Sequence, residues 1–149
     1  MPDRLAVAER QAFLSDVRVG VVSVASDRPD RAPISSPVWY DYSAETGNVT
    51  IMMNAKSRKG VALEAAQRFV LVVQSEATPY RYVTFEGPLA EVRRPDLEKD
   101  LLPLAVRYLG EEAGRAYAKS WDEAGAAETD LVYVMNPTHW NTADFTNDL

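Results

Sequence analysis

The sequence predicts an α+β protein built on a small antiparallel β-barrel, closed or split, with about six strands in Greek-key order and flanking helices. Two observations carry this. Short β-branched runs recur between turn residues, and the helical patterns sit at the amino-terminal end, in one short link and in a late insertion. Strands and helices do not alternate as a parallel sheet requires.

Arg4 to Leu14 carries Leu5, Ala8, Ala12 and Phe13 with Glu9 and Arg10 between them, the pattern of a short amphipathic helix lying over a barrel mouth. Val19 to Ala25 is a β-branched strand, and Ser26 to Asp30 is the turn that follows. Ala32 to Tyr42 is its hairpin partner. Because Pro33 and Pro37 cannot donate ladder hydrogen bonds, that strand belongs at an edge or carries a bulge. Glu45 to Asn48 turns the chain into a strand at Val49 to Met53. Val61, Ala62, Leu63, Ala65 and Ala66 mark a short helix, and Phe69 to Gln74 is an apolar strand expected to be buried on both faces. Val83, Phe85 and Leu89 alternate with Tyr82, Thr84, Glu86 and Pro88, and Gly87–Pro88 is where this strand is expected to bend.

Pro95 and Asp96 start a helix with Leu97, Leu101, Leu104, Ala105, Tyr108 and Leu109 at helical spacing, kinked at Pro103 and ended by Gly110. Glu111 to Ala126 is a second helix, in which Tyr117 and Trp121 lie four residues apart and read as packing. Leu131 to Met135 is the last strand, followed by a polar tail.

With 149 residues, 46% of them hydrophobic, the chain reads as one domain over 1–149, large enough to bury about 70% of its extended surface. Cysteine is absent, which removes thiolate chemistry and disulfides, and His139 is the only histidine, which excludes zinc held by several imidazoles. The net charge of −6 works against nucleic acid and anionic membranes as partners. With neither a signal-type apolar run nor a stretch long enough to cross a bilayer, the expectation is a cytoplasmic protein.

Against that acidic background, Lys56, Ser57, Arg58 and Lys59 crowd the link between the Val49 to Met53 strand and the helix after it. A strand feeding a helix through such a link aims free N–H groups and the positive end of the helix dipole at an anion. The cations add charge and forked hydrogen bonds, so the link reads as a phosphate grip, with a solvated basic turn as the alternative.

The order Met53-Asn54, Ser57-Arg58-Lys59-Gly60, Leu63, Phe69, Val83 and Glu86-Gly87-Pro88 resembles the flavin-binding split barrel of the pyridoxamine 5′-phosphate oxidase type. Ser35-Ser36-Pro37-Val38-Trp39 and Arg107-Tyr108-Leu109-Gly110 look like its shorter branch, which uses flavin mononucleotide (FMN) or the deazaflavin coenzyme F-420. The resemblance implies a flavin- or deazaflavin-dependent oxidoreductase passing hydride between coenzyme and a small conjugated substrate. It implies that Arg58 and Lys59, with Lys56 and Ser57 beside them, hold the coenzyme phosphate. Met52 and Met53 then lie beside the phosphate and ring edge, the backbone of Ser35, Ser36, Pro37 and Val38 faces the ring, and Tyr82 stands where the oxidases place a flavin-contacting glutamine. It names no catalytic side chain and no metal ligand. The chain departs from true pyridoxamine-phosphate oxidases in offering Ser35, Ser36, Tyr40 and Asp41 on the second strand, where those enzymes carry Arg and Lys. Vitamin B6 oxidation is therefore the alternative rather than the first reading, alongside a non-catalytic flavin- or haem-binding module and a sheet-edge interaction protein.

A barrel this small fills its own interior, so a coenzyme sits in an outer groove, and a second copy of the chain is the natural wall. A homodimer is the expectation. Trp39, Tyr40, Tyr80 and Trp140 are the aromatic candidates for that groove or interface, with His139 and Trp140 reaching a neighbouring site.

Overall fold

The computed structural model describes residues 1–148. In chain order the elements are α1 (Val7–Ser15), β1 (Gly20–Val24), β2 (Ile34–Val38), β3 (Tyr40–Tyr42), β4 (Val49–Asn54), α2 (Arg58–Ala66), β5 (Arg68–Gln74) and β6 (Arg81–Arg93). Then follow α3 (Leu102–Leu109), α4 (Glu111–Glu123), β7 (Asp130–Met135) and β8 (His139–Asp144).

All strand pairs are antiparallel, along the path β2-β1-β5-β6-β7-β4-β3, with β8 added on β6. The strands at the two ends of this path, β2 and β3, are consecutive in the chain and separated only by Trp39. One segment therefore supplies both edges and curls the sheet into a split barrel. The count among the described residues is eight strands rather than six, for two reasons. The Ala32 to Tyr42 segment breaks at Trp39, where the Tyr40 N–H turns to the Tyr108 hydroxyl at 3.1 Å. The polar tail is a strand, since His139–Asp144 pairs with Arg81–Glu86 in unbroken register.

Alternate residues point inward, as the period-two pattern dictates: Val22 and Val24, Val49, Ile51 and Met53, Phe69, Leu71 and Val73, Val83 and Phe85 are all buried. The expected two-sided burial of Phe69 to Gln74 is not found, because Val70 and Val72 on its outer side are only half-buried. Helix α1 closes one end of the barrel with Phe13 and Leu14, and the Tyr40 hydroxyl donates to the Leu14 carbonyl at 2.9 Å.

Strand β6 serves β5 and β8 with its first half and β7 with its second. Its register shifts between Leu89 and Glu91, beyond the Gly87–Pro88 position where the bend was expected. Gly87 has a different task. A Cβ there would stand 1.9 Å from the Asn136 carbonyl oxygen, so only glycine lets the β7–β8 connection cross this strand.

The late insertion is a helical hairpin docked on the barrel. The Asp96 carboxylate caps it by accepting from Glu98 N and Lys99 N at 3.0 and 2.8 Å. Leu97–Leu101 then form a wide π-helical turn, with Leu101 N–H donating to the Asp96 carbonyl. The kink expected at Pro103 takes this form, since the ring removes one donor and crowds the preceding turn. No helix among the described residues is long and apolar enough to cross a membrane.

Candidate functional site

The cationic link is organised by its own polar side chains. Asn54, the last residue of β4, accepts Lys56 N–H on Oδ1 at 2.8 Å, while its carbonyl accepts Ser57 N–H at 3.1 Å and the Ser57 hydroxyl at 2.6 Å. Ser57 Oγ in turn accepts Gly60 N–H at 3.0 Å and so caps α2. Gly60 is required here, because a Cβ would lie 2.5 Å from the Asn54 carbonyl oxygen. The result is a tight first turn in which the N–H groups of Arg58 and Lys59 have no hydrogen-bond partner among the described residues.

The three cations part company. Lys56 is exposed, and Arg58 is exposed and reaches Asp27 Oδ1 at 3.4 Å. Lys59 turns inward. Its ammonium is half-buried and donates to Ser36 Oγ on β2 at 2.5 Å, with no carboxylate within ion-pair distance among the described residues. Burial without a counter-charge holds its pKa below the ordinary lysine value.

Lys59 stands at the edge of a cavity of about 360 Å³ between the barrel and the helical hairpin. Val19, Pro37, Val38 and Met52 form its barrel side, and Leu101, Leu104, Tyr117 and Trp121 its helical side. Trp39 is the hinge between them, stacked on Tyr108 at 5.1 Å and 5° and tilted against Tyr117 at 5.3 Å. Tyr108 is itself pinned, donating its hydroxyl to the Arg18 carbonyl at 2.7 Å while accepting the Tyr40 N–H. Trp121 Nε1 donates to Asp130 Oδ2 at 2.9 Å, which docks α4 on the start of β7 and brings one carboxylate to the cavity wall.

Of the residues singled out from sequence, Pro37, Val38, Met52 and Lys59 line this cavity, and Ser36 enters it through Lys59. Ser57 is the helix cap. Met53 points the other way from Met52, into the barrel core at 8% exposure. Ser35 Oγ bonds Ser23 Oγ at 2.7 Å on the outer side, and Tyr82 on β6, opposite Gln74 and Ala143, lies away from the cavity. Tyr40 is fully buried and Tyr80 is exposed. Trp140 stacks on Phe85 at 4.9 Å under the Arg10 guanidinium, so it packs on its own barrel rather than reaching out; His139 is exposed. The sequence reading passed over Tyr117, Trp121 and Asp130 as site residues. Their signal was the four-residue spacing of Tyr117 and Trp121, which puts both on one helix face without saying what that face meets.

Neither a protein-family model nor any curated protein matches the chain in sequence. Solved structures do match in shape. A conserved hypothetical protein of Mycobacterium tuberculosis superposes with a TM-score of 0.76 at 21% identity, covering 97% of this chain and 89% of that one. An F-420 reductase superposes at 0.67 and 19% identity, over 88% of this chain and 94% of its own. A FAD-binding protein of Mesorhizobium loti gives 0.63 at 16% identity, over 95% and 96%. The fold is thus the split β-barrel that these structures share, as the sequence predicts.

Proposed function

We propose that this chain is a flavin- or deazaflavin-dependent oxidoreductase that holds FMN or coenzyme F-420 in the groove beside Lys59 and exchanges hydride with a small conjugated substrate. The observation that carries this reading is the half-buried Lys59 ammonium resting on a neutral hydroxyl beside the two unpartnered N–H groups of Arg58 and Lys59. An isolated cation in such a place is costly unless an anion completes it. The residues present fit a phosphoryl end, since the ammonium has no carboxylate partner among the described residues and the first turn of α2 leaves two N–H groups without acceptors. They fit a flat ring as well, through Trp39 and Tyr117 on one side and Met52, Pro37 and Val38 on the other. The F-420 reductase and the FAD-binding protein among the structural neighbours support the same coenzyme class.

When bound, the coenzyme supplies the hydride chemistry from its central ring, and the chain needs no acid or base of its own. Lys59, with the first turn of α2, anchors the phosphate. Trp39, held by Tyr108, fixes the plane in which a ring stacks. The α3–α4 hairpin, through Leu104 and Trp121, keeps water from that side of the groove. A second copy of the chain forms the remaining wall, as a homodimer with two sites.

The test is titration of the purified full chain with each coenzyme, followed by its absorption spectrum and fluorescence. Saturable binding of either coenzyme, lost in the double charge reversal Arg58→Glu/Lys59→Glu while the fold is retained, is the expected result. Unchanged affinity in that variant removes the phosphate assignment, and a Soret band in the protein as purified replaces the flavin reading with haem.

A further inference from the structure

The Lys59 cavity carries two charges, and they do not meet. Among the described residues Lys59 and Asp130 are the only charged groups lining it, and no ion pair joins them. Asp130 opens β7 opposite Asn54 and is half-buried. Trp121 fixes its carboxylate at the wall by donating Nε1–H to Oδ2 at 2.9 Å. That is the one hydrogen bond this side chain makes among the described residues, so Oδ1 has no donor there.

A half-buried carboxylate served by one neutral donor is incompletely satisfied. An ionised carboxylate offers about four acceptor positions, and the indole N–H fills one of them. Withdrawing such a group from water is costly until a positive or N–H-bearing partner completes it. Lys59 is not that partner, because its ammonium is turned to Ser36 Oγ on β2. The walls around the carboxylate say what kind of partner fits. Tyr117 stands one helical turn before Trp121 on α4, and Trp39 is tilted against Tyr117 at 5.3 Å, so aromatic rings line the approach to Asp130. Ring faces attract flat cations, and a carboxylate with an open edge accepts a fork of two N–H donors. A compact alkylammonium lacks that planar fork.

We propose that Asp130 is a substrate-binding residue, and that the group it takes is the N–H fork of a planar conjugated cation of amidinium type, lying against Trp39 and Tyr117. Lys59 is left to the anion at the other side of the cavity. The inference names the class of substrate for the oxidoreductase reading and rests on that reading for turnover; binding at Asp130 stands apart from it.

The probe is benzamidinium, compared with neutral benzamide at constant ionic strength and added to the full chain without coenzyme. Calorimetry is expected to show the cation binding at least about tenfold tighter than the amide. In D130N, which keeps an oxygen for the Trp121 N–H, that ratio is expected to fall below about threefold. A second readout needs no change at Asp130. The Trp121 indole N–H resonance, told from the other two with W39F and W140F, is expected to shift with benzamidinium and stay in place with benzamide. Equal affinity for cation and amide, a ratio untouched by D130N, or a Trp121 resonance that benzamidinium leaves unmoved overturns the site. The ratio is expected to persist in the chain saturated with FMN or F-420; its loss there gives the carboxylate to the coenzyme ring and overturns the substrate assignment. A chain that binds coenzyme without preferring the cation loses this site alone. A preference abolished by D130N in a chain that binds neither coenzyme keeps the site and removes the coenzyme reading.

Discussion

At the scale of single residues, burial separates cations that look equivalent in sequence. Lys59 faces the cavity on a neutral partner, whereas Arg58 is exposed and already has Asp27. Lys59→Gln is expected to weaken FMN or F-420 binding about 10- to 100-fold, the value of a partly desolvated charge-assisted contact. Arg58→Gln is expected to cost less than about threefold, because exposed pairs contribute little. Fluorescence titration of the two variants side by side checks the ranking, and equal losses would refute it. Tyr108 is the second residue with a sharp expectation. Its hydroxyl serves the Arg18 carbonyl and the Tyr40 N–H at the strand break, and its ring supports Trp39. Tyr108→Phe keeps the stack and strands both backbone groups, so urea unfolding should show a loss of about 1–3 kcal/mol.

At the scale of elements, the helical hairpin depends on a charge pair at its base. Arg93 on β6 donates through both Nη groups to Asp100, at 2.6 and 2.7 Å, in the π-helical turn that leads into α3. Those hydrogen bonds hold the Asp100 carboxyl below its ordinary value of 3.8. A carboxylate depressed in the folded state stabilises the fold above its unfolded value and loses that contribution as pH falls through the folded value. The urea midpoint should therefore drop as pH is lowered beneath about 4, and Asp100→Asn should remove that part of the slope while lowering stability at pH 7. The crossing at Gly87 gives the other expectation at this scale. Gly87→Ala sets a methyl against the Asn136 backbone, where neither chain can yield cheaply. A loss of at least about 3 kcal/mol in chemical unfolding is expected, at the upper end of overpacking costs.

For the whole molecule, the apolar outer side of β1 and β5 and the open groove lead to an expectation about assembly. Light scattering should return twice the chain mass, and a clean monomer would remove the second wall from the proposed site. The fold was readable from the chain to a large extent: the antiparallel class, the order of elements and the cationic strand-to-helix link all follow from periodicity and turn chemistry. Ser57 as a helix cap is visible as a serine three residues ahead of Gly60, and the inward face of β4 is visible in Val49, Ile51 and Met53. The break at Trp39 was not readable, since its cause, the Tyr108 hydroxyl, lies 68 positions from Tyr40. Nor was β8, whose polar residues carry no apolar alternation and whose pairing is supplied by β6. Sequence alone determined which residues share a strand or helix face, because alternation and helical spacing are local properties of the chain. Tertiary structure alone decided which face meets which: that Lys59 rather than Arg58 enters the cavity, and that Tyr117 and Trp121 wall it. Those choices rest on contacts between distant segments, and no local period encodes them.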